Sequence, residues 1–140
     1  MKKFNYTLFV ILFLINPLAL ADKWTYVGIS GLSTGEKDVY IALDKIIIKE
    51  NISTLPQLLN FKNQQFLPEG IFFSEKQNWE YDCTNKLTRQ INSLIYKKKM
   101  GRGKLIRKTE LPSKDWEEIL PGTAKESKWI VACKQFKKTE

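Results

Sequence analysis

Cys83 and Cys133 are the only cysteines in a chain of 140 residues that contains no histidine. The missing imidazole removes Ser-His-Asp and Cys-His catalysis, His-ligated zinc, and the side chain that ordinarily exchanges protons near pH 7. Two cysteines without C-x-x-C spacing, and without a further Cys or His, do not complete a metal shell or a redox motif. In an oxidising compartment they most simply form one disulfide. That structural bridge is favoured over a metal or redox pair. It would close a loop of about 50 residues, worth roughly 4 kcal/mol if it acts by restricting the unfolded chain.

The sharpest charged feature is Lys97, Lys98, Lys99, Arg102, Lys104, Arg107 and Lys108, seven positive charges in twelve residues. Such density attracts anions: sulfated glycans, lipopolysaccharide phosphates or acidic segments of partner proteins. A solvated hairpin whose lysines block edge-to-edge strand pairing would have the same sequence. On charge alone this blander reading outweighs the functional one. Nucleic acid is disfavoured, because the nearby aromatics, Tyr96 apart, do not interleave with the charges as a stacking surface requires.

Trp116 precedes Glu117-Glu118 in a predicted loop. It is the tryptophan expected at the surface and joins the candidate binding residues. Trp79 and Trp129 are expected in the core. The carboxylates Glu117-Glu118 and Glu80/Asp82 are acid-base candidates only by type, since proximity in sequence does not set a catalytic geometry. No catalytic residue, metal ligand or cofactor is assigned, and the chain is read as non-enzymatic. Asn51-Ile52-Ser53 matches the glycosylation acceptor pattern and is given little weight.

The compartment is read from the first 21 residues. Lys2 and Lys3 precede an apolar run from Leu8 to Ile15, and Ala19-Leu20-Ala21 supplies a small-x-small cleavage site. This is the pattern of a secretory signal peptide. The apolar run is broken by Asn16-Pro17 and falls short of the roughly 20 residues of a membrane span. No cysteine lies near the cleavage site, which argues against a lipid anchor. Removal of residues 1–21 leaves 119, and losing the two lysines lowers the net charge from +8 to +6. The whole chain has 27% charged and 43% hydrophobic residues, which suits a soluble globular protein, and residues 22–140 are expected to form its one domain.

The elements follow from periodicity. Lys23 to Ser30 (Trp24, Tyr26, Val27) reads as a strand, followed by a turn-rich stretch with Gly31, Ser33, Gly35 and Asp38. Val39 to Leu43 is a second strand and Ile46-Ile47-Ile48 a short third. Asn51, Ser53 and Pro56 are expected to interrupt, and Gln57 to Lys62 to form a short strand after the proline. In Phe72 to Cys83 the residues Trp79, Tyr81 and Cys83 alternate with Glu80 and Asp82, so Cys83 faces the core. Leu87, Ile91 and Ile95 sit at even spacing in a further strand. Met100-Gly101-Arg102-Gly103 is a tight connection, and Lys104 to Lys108 the return strand of a hairpin.

At the end of the chain the period changes. Thr123 and Glu126 fit a capping box, and Trp129, Ile130, Cys133 and Phe136 or Lys137 follow helical steps, predicting a helix from about Ala124 to Gln135. One cysteine thus faces inward from a strand and the other from a terminal helix. A bridge between them would pin the helix across one face of an antiparallel sheet of about six strands, an α+β fold.

In order and spacing these segments resemble the surface-adhesin protein E family of Gram-negative bacteria. The resemblance rests on Trp24 with Val27, Val39-Tyr40 with Ile46, and Glu80-Tyr81-Asp82-Cys83 with Arg89 and Tyr96. It continues through Met100-Gly101-Arg102-Gly103, Trp116, Pro121-Gly122-Thr123 with Glu126, and finally Trp129 and Ala132-Cys133. It runs from about Lys23 to Cys133. Asp44 is shifted from the family's aspartate, Leu43 replaces a polar or proline position, and Pro56-Gln57 stand where an aromatic is expected. These departures are expected to affect one edge of the sheet.

The resemblance implies an antiparallel sheet with a disulfide-tethered C-terminal helix. It also implies an adhesin that binds host matrix and serum proteins such as laminin, vitronectin and plasminogen, and that can dimerise. Fold kinship alone does not carry activity. The reading is therefore an exported binding module, located in the periplasm or at the outer cell surface, that uses sheet edge, loops and basic hairpin on host proteins or anionic glycans. The alternative is a periplasmic structural or accessory protein with no host ligand.

Overall fold

A computed structural model of the chain describes residues 22–32, 35–111 and 115–134. The expected signal peptide, Ser33, Gln135, Phe136 and Lys137 lie outside the described residues. In chain order the strands are β1 (Thr25–Ser30), β2 (Lys37–Ile41), β3 (Ile47–Lys49), β4 (Ile52–Leu67), β5 (Gly70–Asp82), β6 (Leu87–Tyr96), β7 (Leu105–Glu110) and β8 (Glu117–Glu118). One helix, α1 (Ala124–Ala132), follows them. Pairing is antiparallel throughout and runs β1-β2-β4-β5-β6-β7, with β3 beside β4 and β8 beside β6. The six-strand expectation describes this main path, and two short strands bring the total to eight among the described residues.

The largest departure from expectation is β4. Sixteen residues run unbroken through Ser53 and Pro56, which were expected to interrupt. Pro56 is tolerated because of where its missing N–H would point. β3 pairs with residues 52–54 of β4 and β2 with residues 57–61, so Pro56 faces the gap between these two partners. Its carbonyl points into the same gap and accepts from the Ala42 N–H at 3.1 Å. On its other side Pro56 opposes Asn78 of β5, whose own N–H turns away to Asn92 Oδ1. The ladder with β5 therefore loses nothing, and the proline sits in an interior strand without cost to pairing. β2 correspondingly ends at Ile41, and Leu43 lies in a 3-10 turn, Leu43–Lys45. The expected departures at Pro56-Gln57 thus fall in an interior strand, since the edges of the main path are β1 and β7.

β6 also corrects the expectation. Asn78 pairs with Asn92 but Trp79 with Gln90, leaving Ile91 as a bulge. The extra residue switches faces, so Ile95 shares its face with Ser93, Gln90 and Thr88, and Leu87 turns to the other side. Thr88 and Ser93 are buried along with Ile95.

α1 begins as expected. Thr123 Oγ1 accepts from the Glu126 N–H at 3.3 Å, while the Glu126 carboxylate accepts from the Gly122 N–H at 2.7 Å. Cys133 caps the other end and is bonded to Cys83, with their Cα atoms 5.5 Å apart. Ser53 Oγ donates to the Ala132 carbonyl at 2.7 Å, and Trp129 Nε1 donates to the Asp82 carbonyl at 3.0 Å. These ties turn Ala132 and Cys133 onto the sheet. Ile130 lies about 200° around the helix from Ala132 and is 56% exposed, against the expectation of an inward position.

Beneath α1 lies one core cluster: Ile41, Leu55, Tyr81, Cys83, Ile119, Ala132 and Cys133, with Trp79, Trp129 and Val131 packed against it. A second cluster, Val39, Leu59, Phe61, Phe72 and Ile95, fills the sheet beyond the helix. Fully burying a side chain such as Leu55 stabilises by about 1.5–3 kcal/mol.

Candidate functional site

The basic connection between β6 and β7 is a folded loop, and the return strand begins at Leu105, one residue later than expected. Lys97 N–H donates to the Lys104 carbonyl (2.9 Å) and Lys98 N–H to the Arg102 carbonyl (3.1 Å). The loop is also held from outside itself. Met100 N–H donates to Asn60 Oδ1 at 2.9 Å, Gly101 N–H to Ser74 Oγ at 2.9 Å, and Ser74 Oγ to the Lys98 carbonyl at 2.5 Å. Ser74 is completely buried. Gly101 has φ +64°, and a Cβ there would stand 2.2 Å from Lys76 Cε. Lys76 is in turn held between the rings of Trp24 and Tyr96, 5.6 Å from each centroid. The backbone of the loop is thus tied to two interior strands.

Lys97, Lys98, Lys99, Arg102 and Lys104 project from it, exposed. None of the five forms an ion pair with a described residue. Arg107 and Lys108 are different. Arg107 grips Glu69 of the β4–β5 turn through Nε and Nη2, with distances of 2.6–3.0 Å. This bond holds the Glu69 carboxyl below its ordinary pKa and the Arg107 guanidinium above its own. Lys108 pairs with Glu110 at 2.9 Å. Seven expected cations reduce to five unneutralised ones.

Trp116 does not join them. Its half-buried ring lies 4.3 Å beneath the Arg89 guanidinium, and Arg89 Nε donates to Glu80 Oε2 at 2.7 Å. Arg89 is seven residues along β6 from Tyr96, about 23 Å at strand rise. The geometry separates Trp116 from the basic loop. Glu80 is committed to Arg89, and Asp82 is a turn acceptor: its Oδ1 takes the N–H groups of Thr84 and Asn85 and the Asn51 amide, and its Oδ2 the Asn85 amide. The disulfide takes up both sulfurs. Among the described residues no group of three His, Cys, Asp or Glu side chains is placed to hold a metal ion, and no helix is long and apolar enough to cross a membrane.

The sequence reading missed a groove of about 500 Å³ between α1 and the β1–β2 side of the sheet. Val27, Ile29, Val39, Ile41, Leu59 and Val131 supply apolar walls, and Gln57, Gln77, Trp79 and Lys128 a polar floor. The floor is a directed chain of hydrogen bonds. Lys128 Nζ donates to Gln57 Oε1 (2.7 Å), and Gln57 Nε2 to Gln77 Oε1 (2.8 Å). Gln77 Nε2 then donates to Glu75 Oε1 (2.8 Å), which also receives Ser93 Oγ (2.6 Å). Trp79 Nε1, a donor only, fixes the orientation of the Gln77 amide by donating to Oε1 at 2.8 Å. Burial and the nearby Lys125 charge hold the Lys128 ammonium below the usual lysine pKa. No sequence signal marks this site, because Gln57 and Lys128 are 71 residues apart.

The basic loop and the groove occupy opposite faces. In the β4–β5 register, Asn60 and Ser74, which hold the loop, alternate with Leu59 and Glu75, which share the face of Gln57 and Gln77.

The family model described as Surface-adhesin protein E matches residues 24–134. A comparison with curated proteins returns no match. Among solved structures the chain is similar to protein E of Haemophilus influenzae, with 16% identity over 81% of this chain and 86% of that one at a TM-score of 0.58. The selenomethionine form of that protein gives 18% identity, 82% and 90% coverage, and a TM-score of 0.59. Protein E from the non-typeable organism gives 16%, 81% and 78%, and 0.57. At these identities the likeness is one of fold: an antiparallel sheet with a disulfide-tethered C-terminal helix.

Proposed function

Since the chain belongs to the surface-adhesin protein E family, we propose that it is an exported, non-enzymatic adhesin-like module that binds anionic surfaces of host matrix or serum proteins, or anionic glycans, through its basic loop. One observation carries the reading: Lys97, Lys98, Lys99, Arg102 and Lys104 are exposed, unpaired with any described carboxylate, and mounted on a backbone tied to Asn60 and Ser74. A cationic surface already held in place spends little ordering entropy on binding, and its attraction is long-ranged at low salt. The edge strand β1 adds apolar surface, with Tyr26, Val27 and Ile29 each about half exposed or more.

The test is retention of the mature domain on immobilised heparin, with the triple charge reversal K97E/K98E/K99E beside it. The wild type is expected to elute at high salt and the variant near the void, with unchanged thermal stability. Equal retention sinks the loop as the site. Protease shaving of intact cells tests location, with a periplasmic protein as control. Loss of this protein alone supports the outer surface. Survival of both supports the alternative of a periplasmic accessory protein.

A further inference from the structure

Among the described residues that line the groove beside α1 there are two lysines, Lys37 and Lys128, and no carboxylate. Lys128 is half-buried at its floor, its ammonium 2.7 Å from Gln57 Oε1 and 5.7 Å from the Trp79 ring centroid. Gln57 occupies one of three ammonium donors, and among the described residues no carboxylate pairs with the other two. The nearest anion along the hydrogen-bond chain is Glu75, two amides away and already receiving Gln77 and Ser93. Lys37 lines the same groove from β2, four residues from Ile41 and so about 13 Å along the strand. Between them the walls are aliphatic. A groove of about 500 Å³ is of small-ligand size.

We propose that this groove binds a single-chain amphiphile with a carboxylate head, the head on the Lys128 ammonium and the unbranched apolar tail along Val39, Ile41, Leu59 and Val131. Charge complementarity selects the head. A single ammonium offering two charge-assisted hydrogen bonds matches one carboxylate, whereas a phosphate dianion calls for more donors than the floor provides. The aliphatic walls select the tail, since apolar area removed from water is the main source of affinity in such a site. The Gln57–Gln77–Glu75 chain orients the Gln57 carbonyl toward Lys128 and so keeps the ammonium aimed. An anion seated there also restores the lysine toward its ordinary pKa, so binding is accompanied by proton uptake in alkaline buffer.

The experiment titrates the mature domain with cis-parinaric acid below its aggregation concentration, followed by probe fluorescence. Displacement by dodecanoate, dodecanol and acetate comes next. Saturable binding of one probe per chain is expected, with displacement by dodecanoate, at least about tenfold weaker displacement by dodecanol, and none by acetate. K128M is expected to lose about tenfold or more in affinity. S127W, which fills the groove from the exposed side of α1 without touching the core, should lose it too. K97E/K98E/K99E, on the opposite face, should bind as the wild type does. Absence of saturable binding overturns the proposal. So does equal displacement by dodecanol and dodecanoate, or loss of binding in the loop variant with retention in K128M and S127W.

Discussion

Replacing both bridged cysteines by alanine should lower the stability of the domain by about 4 kcal/mol. Cys83 closes β5 and Cys133 caps α1, 50 residues apart in the chain. Restricting an unfolded loop of that size removes about 14 cal/mol/K of entropy, or about 4 kcal/mol at 25 °C. Alanine is the right substitution because both sulfurs sit in the cluster with Leu55 and Tyr81, where serine would add a buried hydroxyl needing a partner. The helix keeps other ties in the variant: Ser53 to the Ala132 carbonyl, Trp129 to the Asp82 carbonyl, and Lys86 to Glu126. The fold is therefore expected to persist with less margin. Equilibrium urea unfolding is the assay. The midpoint should fall, and the slope should rise because the uncrosslinked unfolded chain exposes more surface. A loss below about 1 kcal/mol with an unchanged slope would refute the argument that the bridge acts by restraining the unfolded chain.

Asp82→Ala should cost about 2–4 kcal/mol, because a buried carboxylate accepting two backbone and two side-chain N–H groups is lost. Burial alone would raise the Asp82 pKa, but these bonds outweigh it and hold it below the usual value. Its stabilisation is thus present above the unfolded pKa of about 4 and lost as pH falls through the lower folded value. Acid titration of stability should show that loss in the wild type and a smaller one in the variant. Gly101→Ala should destabilise by about 1–2 kcal/mol in thermal melts, since φ is +64° and the added methyl meets the Lys76 stem. It should also weaken heparin retention by displacing the loop. Pro56→Ala should cost less than about 1 kcal/mol by chemical denaturation, because the ring's missing N–H faces a gap in the pairing. A loss of several kcal/mol there would contradict that placement.

Local and periodic signals were legible in the chain itself. Alternation placed Trp79, Tyr81 and Cys83 on one face of a strand, and the Thr123–Glu126 box located the start of the helix, because both depend on neighbours within a few residues. Two cysteines on two inward faces then implied the bridge and the layering. Tertiary structure decided what depends on distant partners. Pro56 passes through β4 only because β2 and β3 leave a gap opposite it, and the Ile91 bulge moves Leu87 off the face it shares with Ile95 by spacing. Arg107 leaves the cationic patch by meeting Glu69, 38 residues away. The groove gathers Gln57, Gln77 and Lys128 from two strands and a helix. Side-chain pairing across such separations is set by sheet register and helix docking, and neither leaves a periodic mark in the sequence.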